Sequence, residues 1–260
     1  MKVTLIQHDI TWAKPEENIQ RADEAINRNP GSDLYLLPEM FSTGFITEPH
    51  GIAETPDSES LNWMKRKARE MDAALCGSMS VEDNGKFYNR MYFVKPDGET
   101  YFYNKSHLFL YSGEGQNYTA GNERVIVEFR GVRILLQICF DLRYPMSCRN
   151  GIGADGKALY DLIVYSASWP LARKLAWDTL TPARAIENQC FVAACNRVGT
   201  DPYGEYYGGS RLIHPYGHLL VDEVLNKPAE ITAELDMAQL ERYRTKFPTL
   251  NDITWTKDFC

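Results

Sequence analysis

The stretch Arg133-Ile134-Leu135-Leu136-Gln137-Ile138-Cys139-Phe140-Asp141-Leu142-Arg143-Tyr144-Pro145 decides how the chain is read. Its first half is a short apolar run of the kind that forms a strand buried on both faces. Its second half abandons that pattern at once, with two charges and a closing proline, so the chain turns directly after Cys139. A cysteine at the end of such a strand is most simply a small buried hydrophobe. On the corner itself, however, its thiol can be exposed, and the next backbone N–H can point at a developing oxyanion. That is the logic of a nucleophile elbow.

Working outward, similar apolar runs recur at Val3–Ile6, Leu34–Leu37, Ala73–Cys76, Met91–Val94, Leu162–Tyr165 and Phe191–Ala194. Helical patterns lie between them. Pro15 suits a first helical turn and is followed by Ile19, Ala22 and Ile26 at helical spacing, until Asn29-Pro30-Gly31 ends the segment. Leu61, Met64, Ala68 and Met71 mark a second apolar face. Two hairpins are expected, at Lys95-Pro96-Asp97-Gly98 and at Pro215-Tyr216-Gly217, the latter joining 211–213 to 218–221. Strands alternating with helices, plus hairpins, indicate an α/β fold with a mixed sheet covered by helices.

At 260 residues the chain is near the upper size of a single hydrophobic core, so one domain over 1–260 is expected. A net charge of −7 argues against nucleic acid as partner, since phosphate neutralisation needs a concentrated basic surface. The start is too short in apolar residues for a signal peptide, and no run approaches a membrane span. The six cysteines lack Cys-x-x-Cys and zinc-ligand spacing, so reduced thiols in the cytoplasm, no metal and no cofactor are expected.

Two further stretches each place a reactive side chain beside an apolar run. In Leu36-Leu37-Pro38-Glu39-Met40, Glu39 follows a strand end, where α/β sheets hold ligands, although a carboxylate there is ordinarily a solvated turn residue. A free thiol is mostly protonated at neutral pH, and a nearby carboxylate can take its proton and return it to a leaving amine. In Tyr103-Asn104-Lys105-Ser106-His107-Leu108-Phe109, Lys105 alone reads as an edge-strand lysine.

Taken in order, Glu39, Lys105 and Cys139 in these contexts resemble the catalytic triad of the nitrilase, or carbon–nitrogen hydrolase, superfamily, and Cys-Phe-Asp-Leu-Arg-Tyr-Pro at 139–145 matches its motif at every position. The resemblance covers about Lys2 to Phe247-Pro248. It implies a four-layer α-β-β-α sandwich, with the tail of about 248–260 as an arm reaching across the interface of a homodimer. It also implies acyl transfer to Cys139, with Glu39 as base and acid. The Lys105 ammonium and the Phe140 N–H would stabilise the oxyanion, where one donor is typically worth about two to three orders of magnitude in turnover. Lysine beside Glu39 also keeps that carboxylate ionised. Glu114 stands where the family often carries a second glutamate, to orient Lys105 or hold the substrate amide. His107 is assigned a positioning role.

Ser166-Ala167-Ser168-Trp169-Pro170 and Ala183–Gln189 also match the family. Within the second match Arg184 and Glu187 are expected to pair structurally, and Pro182 before it to kink or restart a helix. Pro-Glu-Met-Phe-Ser-Thr-Gly-Phe (38–45), Tyr-Thr-Ala-Gly-Asn-Glu-Arg-Val (118–125) and Asn-Arg-Val-Gly (196–199) resemble the bacterial omega-amidase group. That group hydrolyses the terminal amide of 2-oxoglutaramate or its methionine-derived relatives. Phe45 and Trp169 are candidate pocket residues, with Trp169 equally readable as core. An anionic substrate calls for a cation; Arg143 and Arg173 are the nearest candidates, and Arg173 is preferred because Arg143 belongs to the superfamily-wide motif, which favours a structural task. Other amides, nitriles or carbamoyl amines suit the same triad, and a non-catalytic scaffold would leave Cys139 unreactive.

Overall fold

The computed structural model describes residues 1–252. The chain begins β1 (Lys2–Gln7), α1 (Pro15–Arg28), β2 (Leu34–Leu36), α2 (Glu59–Met71), β3 (Ala74–Asp83), β4 (Lys86–Val94) and β5 (Thr100–Asn104). After the short α3 (Glu114–Asn117) come β6 (Ile126–Phe129), β7 (Val132–Ile138), β8 (Leu162–Ser166), α4 (Lys174–Asn188), β9 (Phe191–Cys195), β10 (Val198–Asp201), β11 (Gly204–Tyr207) and β12 (Arg211–Ile213). β13 (Ala229–Glu234) and α5 (Met237–Lys246) follow. All seven apolar runs are strands, and both periodic segments are helices. Pro15 occupies the first turn of α1, and the Ser58 side chain caps α2 by accepting the Leu61 N–H.

Two sheets form, ordered β13-β1-β2-β3-β4-β5 and β12-β9-β8-β7-β6, with β10-β11 as a separate ribbon. α1 and α2 serve as crossovers between the parallel strands β1, β2 and β3, while β7, β8 and β9 are parallel in the second sheet. Val3, Leu5, Leu34 and Leu36 point inward and share one core with Ile134, Leu136, Leu162 and Val164 of the facing sheet. Their neighbours Ile6, Tyr35 and Leu37 point the other way, onto Ala22, Ile26, Leu61 and Met64 of α1 and α2. Period-two alternation on strands buried on both faces therefore builds the inner layer and one outer layer together. Trp177 and Ala185 of α4 and Leu240 of α5 belong to the large core, which completes the α-β-β-α sandwich.

Two expectations change. α4 does not restart at Pro182 but runs through it. The Thr179 and Thr181 hydroxyls donate to the carbonyls of Leu175 and Trp177. Pro182 leaves the carbonyl of Asp178, a half-buried residue, without its helical donor. In the second hairpin the strand expected over 218–221 shrinks to one bridge, Ile213 to Leu219. Of the arm expected over 248–260, Thr249–Asp252 form a 3-10 turn with Leu250 buried, and the remainder lies outside the described residues. No described helix is long and apolar enough to cross a membrane.

Candidate active site

β2, β5, β7 and β8 deliver their next residues to one place. β2 and β3 are parallel, and β5 is antiparallel to β4, which is antiparallel to β3, so β2 and β5 end at the same edge. Glu39 follows β2, Lys105 follows β5, Cys139 follows β7 and Ser168 follows β8, each beyond the carboxyl end of its strand. The two sheets are stitched together there. Ser166 Oγ donates to the Leu37 carbonyl (2.8 Å) and accepts the Ser78 N–H (3.3 Å). Ser168 N–H donates to Glu39 Oε2 (3.0 Å), and its hydroxyl donates to the Glu39 carbonyl (3.2 Å).

Cys139 sits at the elbow with φ of 41°, a left-handed conformation that a non-glycine residue adopts only when its surroundings enforce it. Asp141 pins the segments on either side of this elbow. Its carboxylate accepts the Ile138 N–H (2.9 Å), the Tyr103 hydroxyl (2.8 Å) and the His107 N–H (3.0 Å), and meets His107 Nδ1 at 2.8 Å. One buried carboxylate thus ties the elbow to the segment carrying Lys105, and the His107 ring stacks on Tyr144 at 3.8 Å between centroids. Phe140 is the second residue of the 3-10 turn Cys139–Arg143, where backbone N–H groups have no acceptor within the helix.

Glu39, Lys105 and Glu114 are fully buried. Lys105 Nζ donates to Glu39 Oε1 (2.9 Å) and to both oxygens of Glu114 (3.1 and 3.0 Å). Burial draws the Lys105 pKa down, and the charges of Glu114 and Glu39 more than reverse this, so it stands above the ordinary lysine value. The Cys139 thiol moves up, through burial first and then the negative charge of Glu39, with Lys105 and the Ser168 N–H opposing. Glu114 is held in turn by the Phe109 N–H (2.6 Å). Lys105 is gripped through its backbone as well, donating to the Asn89 carbonyl and accepting the Gly121 N–H, both at 2.9 Å. A Cβ on Gly121 would lie 2.2 Å from the Asn104 carbonyl oxygen, so only glycine allows this approach.

A cavity of ≈ 310 Å³ opens over Glu39 and Cys139. Its walls include Phe45, Phe109, Phe140, Ser168 and Trp169, with Arg143 and Arg173 among the lining. The sequence candidates Phe45, Trp169 and Arg173 therefore meet at one site, while Lys105 and Glu114 lie behind its surface. Phe45 also places its ring 5.4 Å from Lys105 Nζ. Trp169 is both wall and core: it is 2% exposed, and its ring donates to the Arg173 carbonyl (2.8 Å).

Both arginine candidates reach the cavity. The guanidinium of Arg143, an exposed residue, lies over Trp169 (5.2 Å), and Arg173 lies over Phe109 (4.8 Å) and Tyr111 (5.4 Å). Among the described residues neither has a carboxylate partner. The fastening role belongs to Arg184, which pairs with Glu187 (2.9 Å) and donates to the Leu142 carbonyl (2.6 Å).

Sequence reading missed Asn89, which touches both buried carboxylates, and Pro202, Tyr203 and Tyr206, which the β10–β11 ribbon adds to the cavity wall. An asparagine inside a strand rich in aromatic residues was the available signal for the first. Nothing local marks the ribbon. Among the described residues no three acidic, histidine or cysteine side chains gather as a metal site requires.

A carbon–nitrogen hydrolase family profile matches residues 2–245. The omega-amidase YafV of Escherichia coli K12 is 42% identical over 253 residues, covering 97% of this chain and 96% of its own length. The 2-oxoglutaramate amidase of Bacillus subtilis is 34% identical over 255 residues, covering 96% of each. Among solved structures, XC1258 of Xanthomonas campestris, a CN-hydrolase superfamily protein with an arsenic adduct in its active site, superposes with a TM-score of 0.95 at 37% identity and 98% coverage of both chains.

Proposed function

We propose, on the premise that this chain belongs to the carbon–nitrogen hydrolase family and hydrolyses amide carbon–nitrogen bonds, that its substrate is the terminal amide of a small 2-oxoacid, 2-oxoglutaramate or its methionine-derived analogue. The observation carrying this is the pairing of Cys139 and Glu39 with Arg143 and Arg173 in one cavity, since guanidinium groups without a protein carboxylate recognise a substrate carboxylate. At ≈ 310 Å³ the cavity falls at the small end of ligand pockets, which run from about 300 to 1,000 Å³.

The chemistry proceeds from a neutral thiol. Glu39 accepts the Cys139 proton as Sγ attacks the amide carbon, and the carbonyl π pair moves onto oxygen. The Phe140 N–H donates to that oxyanion, and the Lys105 ammonium supplies positive charge behind it. Glu39 passes the proton to nitrogen, the carbon–nitrogen bond breaks, ammonia leaves and a thioester remains. Glu39 then takes a proton from water, whose oxygen attacks the thioester, and returns it to sulfur as the acid is released. Glu114 orients Lys105 and stays out of substrate contact. The five described cysteines are unpaired, which suits the cytoplasm, and the exposed Leu175 and Ile186 of α4 offer a surface for a homodimer.

The test is ammonia release from 2-oxoglutaramate beside a panel of uncharged amides, nitriles and carbamoyl amines, with C139A as control. Preferred turnover of the 2-oxoacid amide, abolished in C139A, is expected. Preference for another panel member overturns the substrate, and release that survives C139A overturns the nucleophile.

A further inference from the structure

Two carboxylates and one ammonium, all fully buried, leave the site behind Cys139 one positive charge short of balance. Two buried carboxylates within reach of one cation repel each other unless further donors serve them. Asn89 is that further donor. Its Nδ2 lies 2.8 Å from Glu39 Oε1 and 3.0 Å from Glu114 Oε1, so the two N–H bonds of one amide reach one carboxylate each. The opposite orientation would aim the amide oxygen at two carboxylate oxygens, so chemistry fixes which end is nitrogen. The Asn89 Oδ1 has no donor among the described residues, although it is buried. The amide leaves its oxygen unserved in order to bridge the two acids.

The backbone adds to this. Asn89 lies in β4 beside β5, and its carbonyl accepts the Lys105 N–H at 2.9 Å. One residue therefore touches Glu39, Glu114 and Lys105. The next strand contributes only hydroxyls: Ser80, paired with Asn89 across β3 and β4, bonds the Tyr118 hydroxyl at 2.6 Å.

We infer that Asn89 is a positioning residue for the hydrolysis, its amide bridging Glu39 and Glu114 so that both carboxylates stay charged on one lysine and Glu39 stays aimed at Cys139. This rests on the base role of Glu39 proposed above. Asn89 does not line the cavity, so it acts through the carboxylates and not on substrate.

The decisive comparison is N89D against N89A. Aspartate keeps the volume of asparagine but replaces the bridging donor with a third acid facing Glu39, Glu114 and Lys105. A volume-filling role predicts that N89D is the milder change. The bridging role predicts the reverse order, with kcat reduced about ten- to a hundredfold in N89A and further in N89D, and KM little changed. It also predicts that N89D activity relative to wild type falls as pH rises, because an acid proton can serve as donor only while it remains bound. Iodoacetamide modification of Cys139 should be slower in N89D than in wild type, whichever amide is the substrate. That readout separates failure of the bridge from failure of the substrate assignment. N89D matching or exceeding N89A in kcat, with a pH-independent ratio to wild type, overturns the inference. Should N89D not fold, N89A with unchanged kcat does so equally.

Discussion

Replacing Lys105 by methionine keeps most of the length of the side chain and deletes its charge. In the native site Glu39 Oε1 and Glu114 Oε1 lie 2.9 and 3.1 Å from Nζ, so they are at most about 6 Å apart. Without the ammonium, two unit charges at that separation repel by about 3 kcal/mol at an effective dielectric of about 20. Removing one member of a buried ionic group typically costs about 3–5 kcal/mol, and the two agree in scale. The repulsion is relieved when the carboxylates share one proton. That proton is held in the folded variant above the ordinary carboxylate range and released on unfolding. The stability it supplies is present below the unfolded carboxylate pKa and lost as pH rises through the folded value. K105M should therefore be more stable near about pH 5 than near about pH 8 relative to wild type. In wild type the raised Lys105 pKa places the corresponding loss only in strong alkali. Turnover should fall by about two to three orders of magnitude from loss of oxyanion stabilisation alone. Urea unfolding at several pH values, with kcat for 2-oxoglutaramate, measures both. A K105M enzyme within tenfold of wild type, or a stability profile parallel to wild type, refutes the coupling of these three charges.

Two other consequences are open to measurement. S166A should lower stability by about 2–4 kcal/mol by orphaning the Leu37 carbonyl and the Ser78 N–H, and should lower kcat because Glu39 stands two residues from that clamp; an unchanged urea midpoint would contradict it. R143A and R173A should each raise KM for 2-oxoglutaramate about ten- to a hundredfold while leaving an uncharged amide unaffected. Equal effects on both substrates would show that the arginines shape the cavity without binding a carboxylate.

The strands buried on both faces were legible because a continuous apolar run has few alternatives, and the two-sheet core follows from their alternation. β13 was not, since Ala229-Glu230-Ile231-Thr232-Ala233-Glu234 is a half-exposed edge whose pairing partner, β1, lies more than two hundred residues earlier. Arg143 could not be ranked with Arg173 from the sequence, because a motif position does not say which cavity a side chain lines. Asp141 fastens the elbow through four donors, and only their convergence from two sheets reveals it.

The sequence by itself determined the reactive groups and their corners, because a strand that stops at Glu39, Lys105 or Cys139 does so through local chain chemistry. Tertiary structure decided what those groups experience. It buries one ammonium between two carboxylates, pushes the Cys139 thiol pKa up through burial and the charge of Glu39, and brings Asn89 and the β10–β11 ribbon to the same place. Electrostatic coupling depends on distance through space and on exclusion of water, and neither is a property of neighbours along a chain.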